Sequence, residues 1–272
     1  MRIWQADFYR RPLKNPEGQN MWELLICASD DSFVYEVRCP QSEASIDWLV
    51  FQLQKAAEGN LPNKIQVFRP QSFNLISGAG EKLGIEVEAT RRTPILKEEL
   101  KKRAKNFPNY DPIAVEKLPP SALKEDLWGE EWRFGTILAG DLIDFASDRP
   151  IPILDLPESL HPIELGLASD VTVPGVVIYG GRQSMRLARW LAEQKPFSLN
   201  YIPTEAGRSG GLILEAGSVD RWVFATFEDE EFASAAQKYE DRKINSNGLH
   251  FLLVQPDDSE VTHTGMWLLK DE

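Results

Sequence analysis

Residues 175–204, GVVIYGGRQSMRLARWLAEQKPFSLNYIPT, decide the fold class. They read as strand, turn, helix, strand. Gly175 to Tyr179 is an apolar run, Gly180 and Gly181 break it, and a helix starts near Gln183 and Ser184. Arg182, Arg186 and Arg189 then fall at i, i+4 and i+7, which is one helical face. Residues 64–89, KIQVFRPQSFNLISGAGEKLGIEVEA, repeat the pattern without a gap when Gln71 and Ser72 are laid on Gln183 and Ser184. Leu75 then meets Leu187, and Ile85, Val87 and Ala89 meet Phe197, Leu199 and Tyr201. Asn74 and Ser77 stand opposite Arg186 and Arg189, so the arginine stripe belongs to the second copy alone. Two related α/β units, each with a strand–helix–strand crossover, are expected.

Ahead of the first copy, residues 3–11 alternate as a strand does, with Trp4, Ala6 and Phe8 on one side and Gln5, Asp7 and Tyr9 on the other. Residues 21–27 and 33–39 read as two more strands, joined by tight turns. Ser45 caps a helix with the apolar stripe Ile46, Leu49, Val50 and Leu53. Strand 64–68, helix 72–83 and strand 85–89 follow, and Thr93-Pro94 opens a charged helix to about residue 105. The order β-β-β-α-β-α-β-α is that of a ribonuclease-H-like fold. Behind the second copy, residues 197–254 again read β-β-β-α-β, as though the crossover had been moved to the front of a permuted repeat. Half of the 18 prolines fall within 106–174, too many breaks for long regular elements. The expected organisation is an α/β unit over 1–105, a proline-rich connector over 106–174 with an ordered piece around Trp128, Trp132 and Phe134, and a second α/β unit over 175–272, both units with mixed sheets.

A net charge of −12 argues against broad, non-specific nucleic-acid binding, which depends on neutralising phosphates, so any such site must be a local basic patch. No apolar run approaches the roughly 20 residues that span a bilayer. The start of the chain runs directly into a strand pattern, and a cytoplasmic protein is expected. Cys27 and Cys39, with no metal-ligand spacing, are expected to be buried free thiols.

Several clusters carry possible chemistry. Arg182, Arg186 and Arg189 beside a glycine turn form an anion-binding surface or an ordinary solvated helix face, although no phosphate-loop motif is present. Arg91, Arg92, Lys97, Lys101, Lys102, Arg103 and Lys105 stand against only Glu98 and Glu99, as a phosphate-binding run or an exposed helix. Tyr9 beside Arg10 and Arg11 suits base stacking with phosphate contacts; ordinary strand positions are the plainer alternative. On a ribonuclease-H-like order Asp7 sits where a first metal-binding acid belongs, but the fourth strand ends in Phe68-Arg69-Pro70 instead of a second acid. Asp7 is therefore expected to be a hydrogen-bonding structural acid. No catalytic, metal or cofactor motif is found.

Trp4-Gln5-Ala6-Asp7-Phe8-Tyr9-Arg10-Arg11-Pro12, Trp22-Glu23-Leu24, Phe68-Arg69-Pro70-Gln71 and the closing Met266-Trp267-Leu268-Leu269 resemble the Tab2/Atab2 family of cyanobacterial and chloroplast RNA-binding proteins, over essentially the whole chain. The resemblance implies RNA binding, a part in translation and assembly of photosystem I subunits, notably one of the reaction centre, and no catalysis or cofactor. Its partners would be a photosystem mRNA leader and translation or assembly proteins. It also implies that Trp267, Leu268 and Leu269 take part in binding RNA. Arg69, Arg91, Arg92, Arg182, Arg186 and Arg189 are the expected basic region, with Tyr9 and Trp267 as stacking groups. A protein–protein assembly factor without RNA contact and a metal-dependent nuclease are the competing readings.

Overall fold

The structure, a computed structural model, describes residues 1–271 except 106, 108, 118, 206 and 260. It divides into two compact units, Met1–Glu116 and Lys117–Glu272.

In the first unit the chain runs β1 (Ile3–Lys14), β2 (Asn20–Ala28), β3 (Val34–Pro40), α1 (Ile46–Ala57), β4 (Lys64–Val67), α2 (Pro70–Leu83), β5 (Glu86–Ala89) and α3 (Pro94–Ala104). The sheet order is β3-β2-β1-β4-β5, antiparallel from β3 to β1 and parallel from β1 to β5. This is the order and direction of a ribonuclease-H-like sheet. β1 lies at its centre, and its alternation is used on both faces. Trp4, Ala6 and Phe8 enter the core that carries Leu49 and Leu53 of α1 and Ile76 and Ala79 of α2. The opposite face is covered by α3 through Leu96 and Leu100, packed on Leu25, Cys27 and Phe68. Polar residues of β1 on that side must find partners, since burying an unpaired polar group costs roughly 1–3 kcal/mol. Gln5 Oε1 accepts from the Leu96 N–H at 3.0 Å.

β1 runs beyond the expected end at Arg11. Its register against β2 shifts between Arg10 and Lys14, around Pro12, which has no N–H for the ladder. Ser45 caps α1 by accepting from the Trp48 N–H at 3.2 Å. α2 opens at Pro70 without a side-chain cap, and Ser72, expected at the helix start, turns its hydroxyl inward instead.

The second unit contains β6 (Ser121–Ala122), β7 (Glu131–Leu138), α4 (Leu142–Ser147), β8 (Ile153–Asp155), β9 (Thr172–Tyr179), α5 (Ser184–Gln194), β10 (Pro196–Glu205), β11 (Ser209–Ala216), β12 (Asp220–Glu228), α6 (Glu230–Asn245), β13 (Leu249–Gln255) and β14 (Gly265–Lys270). These build two mixed sheets, β10-β11-β12-β6 and β7-β9-β13-β14-β8. The proline-rich segment therefore differs from the expected connector. It supplies β7, paired antiparallel with β9, and β8, paired parallel with β14. The prolines punctuate short elements without expelling the segment from the fold. The order of the first unit recurs, but its pairing does not. β4 and β5 are neighbours, whereas β9 and β10, their counterparts, lie in different sheets. Both edges of β9 are already taken, by β7 and β13, and β10 pairs with β11 instead.

Val176 and Ile178 of β9 join the core holding Leu187 and Leu191 of α5, whereas Val177 and Tyr179 face Leu142 and Ala146 of α4. The five-stranded sheet is thus covered on both sides. Cys27 and Cys39 are buried free thiols.

Candidate nucleic-acid interface

On the α3 side of β1, directly after Gln5 in the alternation, lies Asp7. It is fully buried. Its Oδ1 accepts from Ser72 Oγ at 2.7 Å and Arg69 Nε at 3.1 Å, and its Oδ2 accepts from Arg11 Nη2 at 3.0 Å. Arg11 spans further, donating from Nε to Glu23 at 3.0 Å and from Nη1 to the Tyr110 hydroxyl at 3.2 Å. Glu23 also accepts from Arg38 at 2.9 Å. Arg69 uses its remaining nitrogens on the carbonyls of Ala114 and Pro112, at 2.7 and 2.6 Å. Burial opposes the charge of Arg11, but Asp7, Tyr110 and Glu23 outweigh it and its pKa is raised. The expectation that Asp7 is a structural acid matches this geometry. Both its oxygens are occupied by cations and a hydroxyl, and Arg69 at the end of β4 stands where a two-metal site needs a second acid. Among the described residues no three His, Cys, Asp or Glu side chains gather as metal ligands.

Above this network opens a groove of about 580 Å³, lined among others by Tyr9, Arg10, Lys14, Asn20 and Tyr110. Arg10 and Lys14 are exposed and Tyr9 is half-buried. The Arg69 guanidinium lies 4.2 Å from the Tyr9 ring centroid and so fixes the ring from below. Tyr9, Arg10, Arg11 and Arg69, all expected as contacts, do come together here. The correction concerns their depth. Arg11 and Arg69 are only 6% and 3% exposed, so they support the groove and do not present charge to a ligand. Lys14, Asn20 and Tyr110 were not anticipated. The first two lie past Pro12, where the strand pattern stops being readable, and Tyr110 lies in the segment read as a connector.

The other expected residues are placed elsewhere. Arg91 and Arg92 are half-buried between β5 and α3, with the Arg91 carbonyl accepting from Lys97 Nζ at 2.6 Å. Their basic run is largely paired: Lys102 with Glu98 at 3.0 Å, and Arg103 with Glu99 at 2.9 Å and with Glu36. In the second unit Arg182, Arg186 and Arg189 are exposed along α5 and the turn before it. Arg186 pairs with Asp126. Among the described residues, Arg182 and Arg189 form no ion pair. Trp267, Leu268 and Leu269 are corrected most sharply. They form the middle of β14, between β13 and β8, and are 1%, 0% and 0% exposed. Side chains so enclosed have no surface for RNA.

Exposed cations beside tyrosines, over a buried arginine–carboxylate network in place of an acid cluster, define an α/β protein whose groove has the chemistry to take a nucleic acid. The description "RNA-binding protein Tab2/Atab2 N terminal" matches residues 3–103, and "RNA-binding protein Tab2/Atab2, C-terminal domain" matches residues 110–270. The chain belongs to the Tab2/Atab2 family of RNA-binding proteins. It is 28% identical to "Protein TAB2 homolog, chloroplastic" of Arabidopsis thaliana, covering 100% of this chain and 75% of the relative. It is 25% identical to the protein of the same name from Zea mays, covering 100% and 72%. Among solved structures, the HTLV-2 integrase catalytic core domain in complex with magnesium aligns at a TM-score of 0.27 with 14% identity, over 40% of this chain and 76% of that one, too low to bear on function. No described helix is long and apolar enough to cross a membrane.

Proposed function

We propose that the chain binds the leader of a photosystem I messenger RNA as a single strand and supports translation and assembly of the encoded subunits, in the cytoplasm of a cyanobacterial cell. The observation that carries the contact is the first unit's groove, in which Arg10 and Lys14 are exposed beside Tyr9 and Tyr110. Single-stranded RNA is held by cations along its backbone and by aromatic rings under its unstacked bases. The −12 net charge makes a confined contact of this kind the suitable one. Arg186 and Arg189 on α5, with Arg182 in the turn before it, are the second unit's phosphate contact. Belonging to an RNA-binding family supports the ligand class, and the photosystem message is the step added here.

Filter binding with the leader of a photosystem I reaction-centre message tests this across a salt series. The Arg10→Ala/Lys14→Ala variant is expected to weaken binding and lower the log–log salt slope by about 1.4, at about 0.7 per phosphate contact on a single strand. The triple Arg182/Arg186/Arg189→Ala variant should lower it further. An unchanged affinity and slope in both variants would remove the site assignment, and no salt-sensitive binding by the wild-type chain would remove the RNA reading.

A further inference from the structure

The −12 net charge is not shared between the two units. Residues 1–116 hold 16 basic and 16 acidic side chains, whereas 117–272 hold 14 basic against 26 acidic, so the second unit carries the whole excess. That unit also brings a row of aromatic rings to its surface. Phe227 of β12 and Phe232 of α6 lie 6.0 Å apart between centroids, and Trp132 of β7 meets them at 6.0 and 5.5 Å. Tyr201 of β10 stacks on Phe227 at 5.7 Å, with the ring planes 21° apart. It reaches Phe227 across Gly210 of β11, where a Cβ would come 2.3 Å from the tyrosine Cε2. The missing side chain at Gly210 is what lets a ring from β10 lie against one on β12.

The inner side of this row belongs to the core, since Trp132 and Tyr201 pack against the cluster that holds Leu212 and Tyr239. The outer side does not. Trp132, Tyr201 and Phe227 are half-buried and Phe232 is 42% exposed, so ring surface from three strands and a helix meets water in one place. The Asp229 carboxylate caps α6 by accepting the Phe232 N–H at 3.1 Å, which fixes the position of Phe232. Contiguous apolar surface with a polar rim is the usual mark of an interaction site. The rim here is acidic. Glu205, Ser209 and Glu228 stand in register across the end of the β10-β11-β12 ladder, one step beyond Gly210 and Phe227, and Glu230 and Glu231 follow at the start of α6. All four glutamates are exposed. Arg208 pairs with Glu205 at 3.3 Å and lies 3.9 Å from Glu230, while Glu228 and Glu231 form no ion pair among the described residues. The helix dipole accounts for Glu230 and Glu231, but Glu205 and Glu228 lie outside α6. Ring faces beside carboxylates suit a guanidinium or ammonium group, which the rings attract by their quadrupole and the acids by their charge. The same rim repels phosphate, and a second copy docked about a two-fold axis would set like acids against each other.

We propose that this patch docks a basic segment of another polypeptide, one in which arginine or lysine alternates with apolar side chains. A cationic side chain lies on the Phe232 and Trp132 rings, its neighbours meet Glu228 and Glu231, and the apolar side chains cover Tyr201 and Phe227. The surface is separate from the groove of the first unit and does not depend on the RNA contact argued above.

Fluorescence anisotropy of the full chain with a labelled peptide alternating arginine with leucine is the test, and a peptide alternating glutamate with leucine is the comparison. Circular dichroism confirms that each variant is folded. The arginine peptide should bind saturably and the glutamate peptide should not. Phe232→Ser, which leaves the charge of the chain unchanged, should weaken binding about tenfold, and Glu228→Gln/Glu231→Gln should do the same. Asp144→Asn/Asp148→Asn removes as much charge from α4 and the residue after it, at the other face of the five-stranded sheet, and should stay within about twofold of wild type. The proposal is overturned by no saturable binding, by equal binding of the glutamate peptide, or by a loss in Asp144→Asn/Asp148→Asn as large as in the patch variants. Binding that Phe232→Ser leaves unchanged is charge attraction alone and overturns it too. Self-association of the wild-type chain in sedimentation that Phe232→Ser abolishes would assign the patch to a second copy, with the same consequence. Leader-RNA affinity should not change in Phe232→Ser, so this proposal and the RNA reading fail separately.

Discussion

Replacing Asp7 with asparagine keeps the volume of the side chain and removes one charge. The wild-type carboxylate is flanked by Arg69 at 3.1 Å and Arg11 at 3.0 Å, with side-chain exposures of 4% and 5%. In Asp7→Asn both guanidiniums stay enclosed and, among the described residues, Glu23, itself shared with Arg38, is the acid left to balance them. Removing one member of a buried ion pair costs about 3–5 kcal/mol, because the partner is left charged and unsolvated. That is a large share of the roughly 5–15 kcal/mol that holds an ordinary domain folded. The carbonyls of Pro112 and Ala114 depend on the same Arg69, so the 110–116 side of the groove should loosen as well. Urea unfolding of Asp7→Asn is expected to show this loss. The double variant Asp7→Asn/Arg69→Met, which restores the charge balance, should recover part of it. A loss under about 1 kcal/mol would mean that the arginines reach water, and the closed-network reasoning would be refuted. The same protein separates the nuclease reading: with Mg²⁺ present, RNA cleavage by wild type that Asp7→Asn abolishes would restore it.

Two other outcomes can be checked directly. His250 is fully buried, accepts the Leu199 N–H on Nε2 at 2.9 Å and bonds the Gly248 carbonyl through Nδ1 at 2.8 Å, an arrangement for the neutral ring. Burial, then Lys243, lowers its pKa from 6.5 to about 4, so the unfolded chain takes up its proton first as pH falls. Its contribution is present above about pH 6.5 and lost toward pH 4, by about 3 kcal/mol in total. Urea midpoints at pH 7 and 4.5 should differ more for wild type than for His250→Gln, and parallel pH profiles would count against this. Trp267→Ala should cost about 3–5 kcal/mol as a core truncation. At a low temperature where the variant is still folded, its leader-RNA affinity should stay within about twofold of wild type; a larger loss with circular dichroism unchanged would return Trp267 to the interface.

The first unit was legible because its central strand alternates strictly in sequence. Trp4, Ala6 and Phe8 against Gln5 and Asp7 define both faces of β1, and the helix periods of α1 and α2 leave one order of elements. The absence of an acid at Arg69 was enough to give Asp7 a structural role. The burial of Arg11 and Arg69 was not legible. Arginine is a surface residue by habit, and the partner that draws Arg69 inside lies 62 positions away, beyond any local pattern. The second unit misled for a different reason. Residues 64–89 and 175–204 share a local pattern, but β9 is flanked by β7 and β13, neither of which lies within the repeated stretch, so β10 falls in another sheet. Trp132 and Phe134 were the sign that the proline-rich segment is packed, though not of the strand it pairs with.

β14 is synthesised after every other strand of its sheet. Until it emerges, β8 has no neighbour and β13 has one open edge. On the ribosome the first unit can close as soon as its own residues are out, whereas the second must wait with a nearly wholly apolar strand uncovered. A fusion or truncation that delays or removes Gly265–Lys270 therefore turns a folding intermediate into a sticky edge, and the symptom in a cell would be lost protein rather than lost affinity.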